Sequence, residues 1–158
     1  MALDFDAFAI TLLLAPFFVA VLAPLIVRET GAVAGWILAI VPAGIFAALA
    51  SMIGEVAGGR IVRFGVDWVP ALDLRFDFLI DGLSLTFCLV VSGIGAFILI
   101  YAGSYQRTHP QRGRFMAILL GFTGSMLGLV LSDSLVALFV FWELTAVASY
   151  LLIGVEHE

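Results

Sequence analysis

The residues 141–150, FWELTAVASY, place one carboxylate, Glu143, among apolar side chains. The apolar run around it extends from 134 to 154. In a bilayer Glu143 would therefore sit near the midplane, where an acid costs ~2.5–3.5 kcal/mol on insertion scales. A carboxylate at that depth can load and release a proton if burial raises its pKa, water reaches it, or a cation meets it. A neutral, hydrogen-bonded packing residue or a link to a neighbouring subunit would occupy the same position. On a helix, Tyr150 falls seven residues on, on the Glu143 face, while Thr145 and Ser149 share a neighbouring stripe. These three form a candidate polar lining. For Thr145 and Ser149, bonding to the preceding helical turn or contact between helices explains the residues at least as well.

Little else in the chain could do chemistry. All seven basic residues are arginines, there is no lysine, and none of the seven falls inside an apolar run. No cation of these runs can meet Glu143 at depth, so a partner would have to come from elsewhere. His109 and His157 lie in a loop and a tail. Cys88 is the only cysteine, which excludes an intrachain disulfide and suits a buried thiol. No haem, iron–sulfur or flavin ligand set, metal cluster or glycine-rich phosphate loop is present, so no cofactor or metal is expected. The net charge of −5, without a basic patch, gives no sign of nucleic-acid binding.

The elements that position Glu143 are membrane spans. The 158 residues are 63% hydrophobic and 12% charged, with a mean hydropathy of +1.20, against ~45–50% and ~25% for a soluble domain. A span needs ~17–25 apolar residues, and five runs qualify: 7–27, 32–53, 82–105, 115–131 and 134–154. Together they predict an all-α polytopic membrane protein forming a single membrane domain. Pro16, Pro24 and Pro42 fall inside the first two runs, where membrane helices tolerate them, usually as kinks. Asp4 and Asp6 in a tail without basic residues argue against a signal peptide.

The 54–81 connection alternates polar and apolar residues over Asp73–Phe78, which predicts a β-hairpin pairing with Arg60–Phe64, with Gly65 and Pro70 near its turn. Asp81 suits the N-cap of the third helix. Arg107, Arg112 and Arg114, with Arg28, mark the cytoplasmic side. The N-terminus and the hairpin are then outside and the C-terminus inside, as expected of an inner (plasma) membrane protein. In the fourth run, Gly121, Gly124, Ser125 and Gly128 repeat a small-residue spacing that lets membrane helices approach closely.

The segments DGLSLTFCLVVSGIGAFILIYAGSY and GRFMAILLGFTGSMLGLVLSDSLVALFVFWELTAVASYLLIG resemble the antiporter-like subunits shared by respiratory complex I and Mrp-type multisubunit Na+/H+ antiporters. SGIG, GSMLG and FWELT together are most similar to the Mrp A subunit. The resemblance covers about residues 65–154 and is most specific over the last forty of them. It implies that Glu143 belongs to a proton path and pairs with a lysine on a later broken helix. It also implies partnership with other antiporter subunits, transport of H+ with Na+, and no enzymatic reaction of the chain's own. Family subunits have about fourteen or more spans, so the resemblance implies an N-terminal portion of one. Ser134 stands where the family usually has Asn. Two other readings stay open. One is a proton-pumping membrane subunit of an NADH:quinone oxidoreductase or related hydrogenase complex. The other is a non-transporting structural fragment.

Overall fold

The computed structural model describes residues 2–69, 71, 74–106 and 109–155; Pro70, Asp73, Arg107 and His157 lie outside them. The described chain is mostly helical, with one two-stranded sheet. Four stretches are long and apolar enough to cross a membrane: 7–57, 82–105, 112–131 and 135–155. The first has 51 residues, more than twice what a bilayer takes, and it is interrupted. Helix α1(Ala2–Thr30) gives way to a 3-10 turn, Gly31–Val33, before α2(Ala34–Ala50). Gly31 has φ +54°, a left-handed conformation that glycine adopts without steric cost and that ends helices. The two helices then pack against each other.

The remaining elements are α3(Ile53–Ala57), β1(Val62–Val69), β2(Leu74–Ile80), α4(Gly82–Tyr105), α5(Arg112–Leu131) and α6(Leu135–Val155). Several ends differ from the apolar runs. α2 stops at Ala50 rather than 53, and α5 starts at Arg112 rather than 115, which puts Arg112 and Arg114 in its first turn. Hydropathy reports hydrocarbon depth, whereas a helix continues wherever its backbone can keep bonding.

α1, α2, α4 and α5 form a closed ring in which α1 packs on α5, α5 on α4, α4 on α2 and α2 on α1. α6 stands outside the ring, packed on α5 and on β2. Helices in lipid gain little from hydrophobic burial against one another, so close packing must hold them. α2 and α4 approach closely, since a Cβ on Gly35 would stand 2.7 Å from Gly103 Cα. The small residues of α5 act differently from backbone-to-backbone contact. Gly124 and Gly128 are slots for the rings of Phe17 and Phe141, while a Cβ added at Gly121 would meet nothing within 4 Å.

The hairpin is antiparallel, with Val62 opposite Ile80, Phe64 opposite Phe78 and Asp67 opposite Arg75. Gly65 is not at the turn. It sits mid-strand opposite Asp77, where a side chain would strike that residue, because the first strand runs on to Val69 instead of ending at Phe64. An isolated hairpin is marginal in water; this one buries Val62, Phe64, Phe78 and Ile80 against Leu13, Leu49, Leu127, Leu131 and Phe141 of the helices.

Candidate functional site

α6 buries a narrow stripe, Ala137, Phe141, Ala148 and Val155. Phe141 fixes its rotation. The ring fills the Gly128 slot of α5, meets Phe78 of the hairpin edge-on at 5.9 Å, and lies 6.5 Å from Phe17 of α1. Two residues on a helix turn through ~200°, so Glu143 points away from the ring of helices. It is exposed on the outer side of this chain. The same outward face carries Phe139 at 64% exposure and Tyr150 at 76%. Glu143 is the ninth of the 21 residues of α6, near the middle of the span. Among the described residues it forms no ion pair.

The three polar neighbours divide. Tyr150 shares the outer face with Glu143. Thr145 Oγ1 donates to the Trp142 carbonyl at 2.6 Å, and Ser149 Oγ to the Thr145 carbonyl at 2.8 Å. Both hydroxyls therefore bond their own helix, and Thr145 lies about 200° around from Glu143. Among the described residues, no hydrogen bond joins Glu143 to Thr145 or Ser149. Beside Leu144, next in the chain, α1, α6 and the hairpin enclose a wholly apolar groove of about 370 Å3, bordered by Leu14, Val66, Phe76 and Val140.

A polar latch at the hairpin end escaped the sequence reading. Arg63 pairs with Asp133 at 3.3 Å, and Arg75 with Asp67 at 3.1 Å and Asp77 at 3.3 Å. The Asp133 amide donates to the Asp77 carbonyl at 2.8 Å. Ser134 Oγ accepts from the Ala137 amide at 3.2 Å, as a helix N-cap does, and donates to the Arg75 carbonyl at 3.1 Å. The turn that begins α6 is thus stitched to β2. Ser134 supplies the capping oxygen here, and its place just before an apolar helix was the available sequence signal. The α4 cap is as expected. Asp81 accepts from the Ser84 amide, and its own amide donates to Ser84 Oγ, each at 2.8 Å. The Ser84 amide holds the Asp81 carboxyl below the ordinary value.

A family model described as NADH-ubiquinone oxidoreductase (complex I), chain 5 N-terminus, matches residues 68–116. Na(+)/H(+) antiporter subunit A1 of Staphylococcus haemolyticus is 40% identical over 124 residues, covering 78% of this chain and 15% of that protein. Its Staphylococcus aureus counterpart gives 40% identity, with 16% of its length covered. Among solved structures, a chain of the Mrp complex from Dietzia sp. superposes with a TM-score of 0.74 at 35% identity, over 90% of this chain and 15% of that one. A chain of an archaeal membrane-bound sulfane sulfur reductase has a TM-score of 0.71 at 18% identity, a likeness of fold alone. The chain spans about 15% of the length of the curated relatives it matches.

Proposed function

We propose that this chain, a relative of the A subunits of Na+/H+ antiporters, is a component of a multisubunit monovalent cation/proton antiporter and contributes Glu143 to the proton path. Five helices, α1, α2, α4, α5 and α6, cross the membrane. The N-terminus and hairpin are outside and the C-terminus is in the cytoplasm. The observation that carries the reading is the outward aim of Glu143 near the middle of α6, which stands outside the ring. An acid packed for structural reasons would gain most by facing α5. One directed away from its own bundle is presented to whatever covers α6, and there a cation can balance it and water can reach it. Tyr150 is the other polar group of that face and extends it toward the cytoplasmic end. Thr145 and Ser149, bonded to their own backbone, are packing residues in this scheme and not proton carriers.

The test is Glu143→Gln in the whole complex, with antiport followed by pH-sensitive dye in everted vesicles. Antiport falls to background while assembly, judged by co-purification, is unchanged. Normal antiport in that variant would sink the proton role. Reduced assembly with full activity per assembled complex would favour a structural role instead.

A second reading follows from the complex I description of the matching family model: the same glutamate would serve a redox-driven proton pump. Co-purification with an NADH or hydrogenase module, in place of antiporter subunits, would favour it.

A further inference from the structure

At the end of the bundle opposite the hairpin, one polar side chain is buried without a hydrogen bond. Gln106 is the C-cap of α4 and is 8% exposed. Its backbone is satisfied, since its amide donates to the Ala102 carbonyl at 2.9 Å and its carbonyl accepts from the His109 amide at 3.1 Å. Its side-chain amide has no partner among the described residues. An amide carries two donors and an acceptor, and taking it out of water unbonded costs free energy. The Gln106 amide is not sealed in. It opens into a groove of about 300 Å3 lined by Ile98, Tyr101 and Tyr105 of α4, Phe115 of α5 and Leu152 of α6, among others.

The walls of this groove are held by packing. α4 and α6 both pack on α5. Arg112 is buried and donates to the Gly103 carbonyl at 2.9 Å, which ties the first turn of α5, and with it Phe115, to the end of α4. Tyr101 and Tyr105 stack at 5.5 Å with their planes 15° apart and form one flat wall. Among the described residues, no charged side chain lines the groove.

Depth and lining together identify the occupant. α4 has 24 residues, about 36 Å at ~1.5 Å each, against a hydrocarbon core of about 30 Å. Gln106, just past its end, therefore lies at the edge of the hydrocarbon, the level at which exposed tyrosines concentrate. The groove is apolar from Ile98 to Phe115, and Gln106 supplies a donor at its end. A matching ligand is an apolar chain that ends in an acceptor. An anion fails, because nothing cationic lines the groove. A passing helix fits poorly, because its carbonyls are bonded within the helix. The ester of a phospholipid fits both ends, with a carbonyl oxygen free to accept and a chain that is apolar.

We propose that this groove holds an acyl chain of an ester-linked phospholipid, with Gln106 Nε2 donating to the ester carbonyl and the chain lying over Tyr101, Phe115 and Leu152 toward Ile98. The headgroup stays in water and is not read. The inference needs only the membrane embedding of the helices and stands apart from the role of Glu143.

Photocrosslinking of the full-length protein, with the subunits that accompany it, tests the proposal. Benzoylphenylalanine replaces Tyr105, and the protein is reconstituted in vesicles of diester and diether phosphatidylcholine, equimolar and with matched chains. Mass spectrometry of the adducts shows the diester captured about fivefold more than the diether, the worth of one hydrogen bond. Gln106→Leu brings the two lipids to parity while total capture persists. The same probe at Phe97, which is 75% exposed on α4 and outside the groove, captures both equally. Parity at Tyr105 with Gln106 present overturns the proposal, by leaving the amide to water. So does a diester preference that survives Gln106→Leu, or capture of a protein segment in place of lipid. A preference for phosphatidylglycerol over phosphatidylcholine as large as that for the ester also overturns it, by assigning recognition to the headgroup. Should Gln106→Leu not assemble, the contrast between the Tyr105 and Phe97 probes decides the matter.

Discussion

At the scale of single residues, Asp81 is the clearest case of an ionisable group that a specific neighbour accounts for. Its carboxylate closes a reciprocal cap with Ser84 at the start of α4. Removing such a cap costs about 0.5–2 kcal/mol, so Asp81→Ala should lower the thermal midpoint of the detergent-solubilised protein. Asp81→Asn, still an acceptor, should retain most of the stability at neutral pH. The pH dependence has a definite sign. The folded-state pKa is lowered by the Ser84 amide from an ordinary value of 3.8. The contribution is therefore fully present above that value and is lost as pH falls through the lower folded-state value. The wild-type advantage over Asp81→Asn should shrink as a melting series descends below the ordinary value. An advantage that grew on acidification would show that the cap does not act through its carboxylate. Glu143 differs in kind: it is exposed and forms no ion pair among the described residues.

At the scale of elements, α5 organises the fold because its glycines are cut to receive particular rings. A Cβ at Gly128 would clash with the Phe141 ring, whereas a Cβ at Gly121 would meet nothing within 4 Å. Gly128→Ala must displace Phe141, and overpacking of this kind costs typically 1–3 kcal/mol. Gly121→Ala, matched in chemistry and on the same helix, should be neutral or slightly stabilising through helix propensity. Thermal midpoints of the two variants check the pair. Equal losses would mean that the slot does not govern the α5–α6 contact. Because Phe141 precedes Glu143 by two residues, displacing its ring should also turn the carboxylate; under the proposed role of Glu143, Gly128→Ala then reduces antiport beyond its effect on stability.

At the scale of the whole molecule, a ring of four long helices carries α6 on its outside, and the hairpin reaches across to hold that helix at one end. Two kinds of contact do this, and their magnitudes separate them. The Arg63–Asp133 pair is largely exposed on the arginine side, at 70%, and pairs of that kind contribute roughly 0–1 kcal/mol and weaken with salt. Phe78 is 4% exposed, stacks on Phe64 at 5.2 Å and meets Phe141. Truncating a buried phenylalanine costs about 3–5 kcal/mol. Hydrogen exchange of the hairpin amides should therefore rise modestly in Asp133→Asn and steeply in Phe78→Ala, and only the first change should disappear in high salt. A larger effect from Asp133→Asn would reverse the ranking and make the latch electrostatic.

Much of this was legible in the residue string. Composition requires a membrane, the apolar runs locate the helices, the alternation of 73–78 identifies the hairpin, Asp81 announces its cap, and Glu143 stands out as the one charge at depth. The string does not say which way Glu143 faces, that Arg112 is buried against Gly103, that Gly35 and Gly103 touch, or that Gly65 lies mid-strand. In water a helix declares its inner face through an apolar stripe. In lipid α6 is apolar nearly all the way round, so hydropathy carries little rotational information. Orientation is then decided by shape, by which ring enters which glycine slot, and shape exists only once the helices have met. The sequence by itself determined that a carboxylate lies near the middle of a segment long and apolar enough to cross a membrane. Only the tertiary structure, through Phe141 in the Gly128 slot, decided that it points outward.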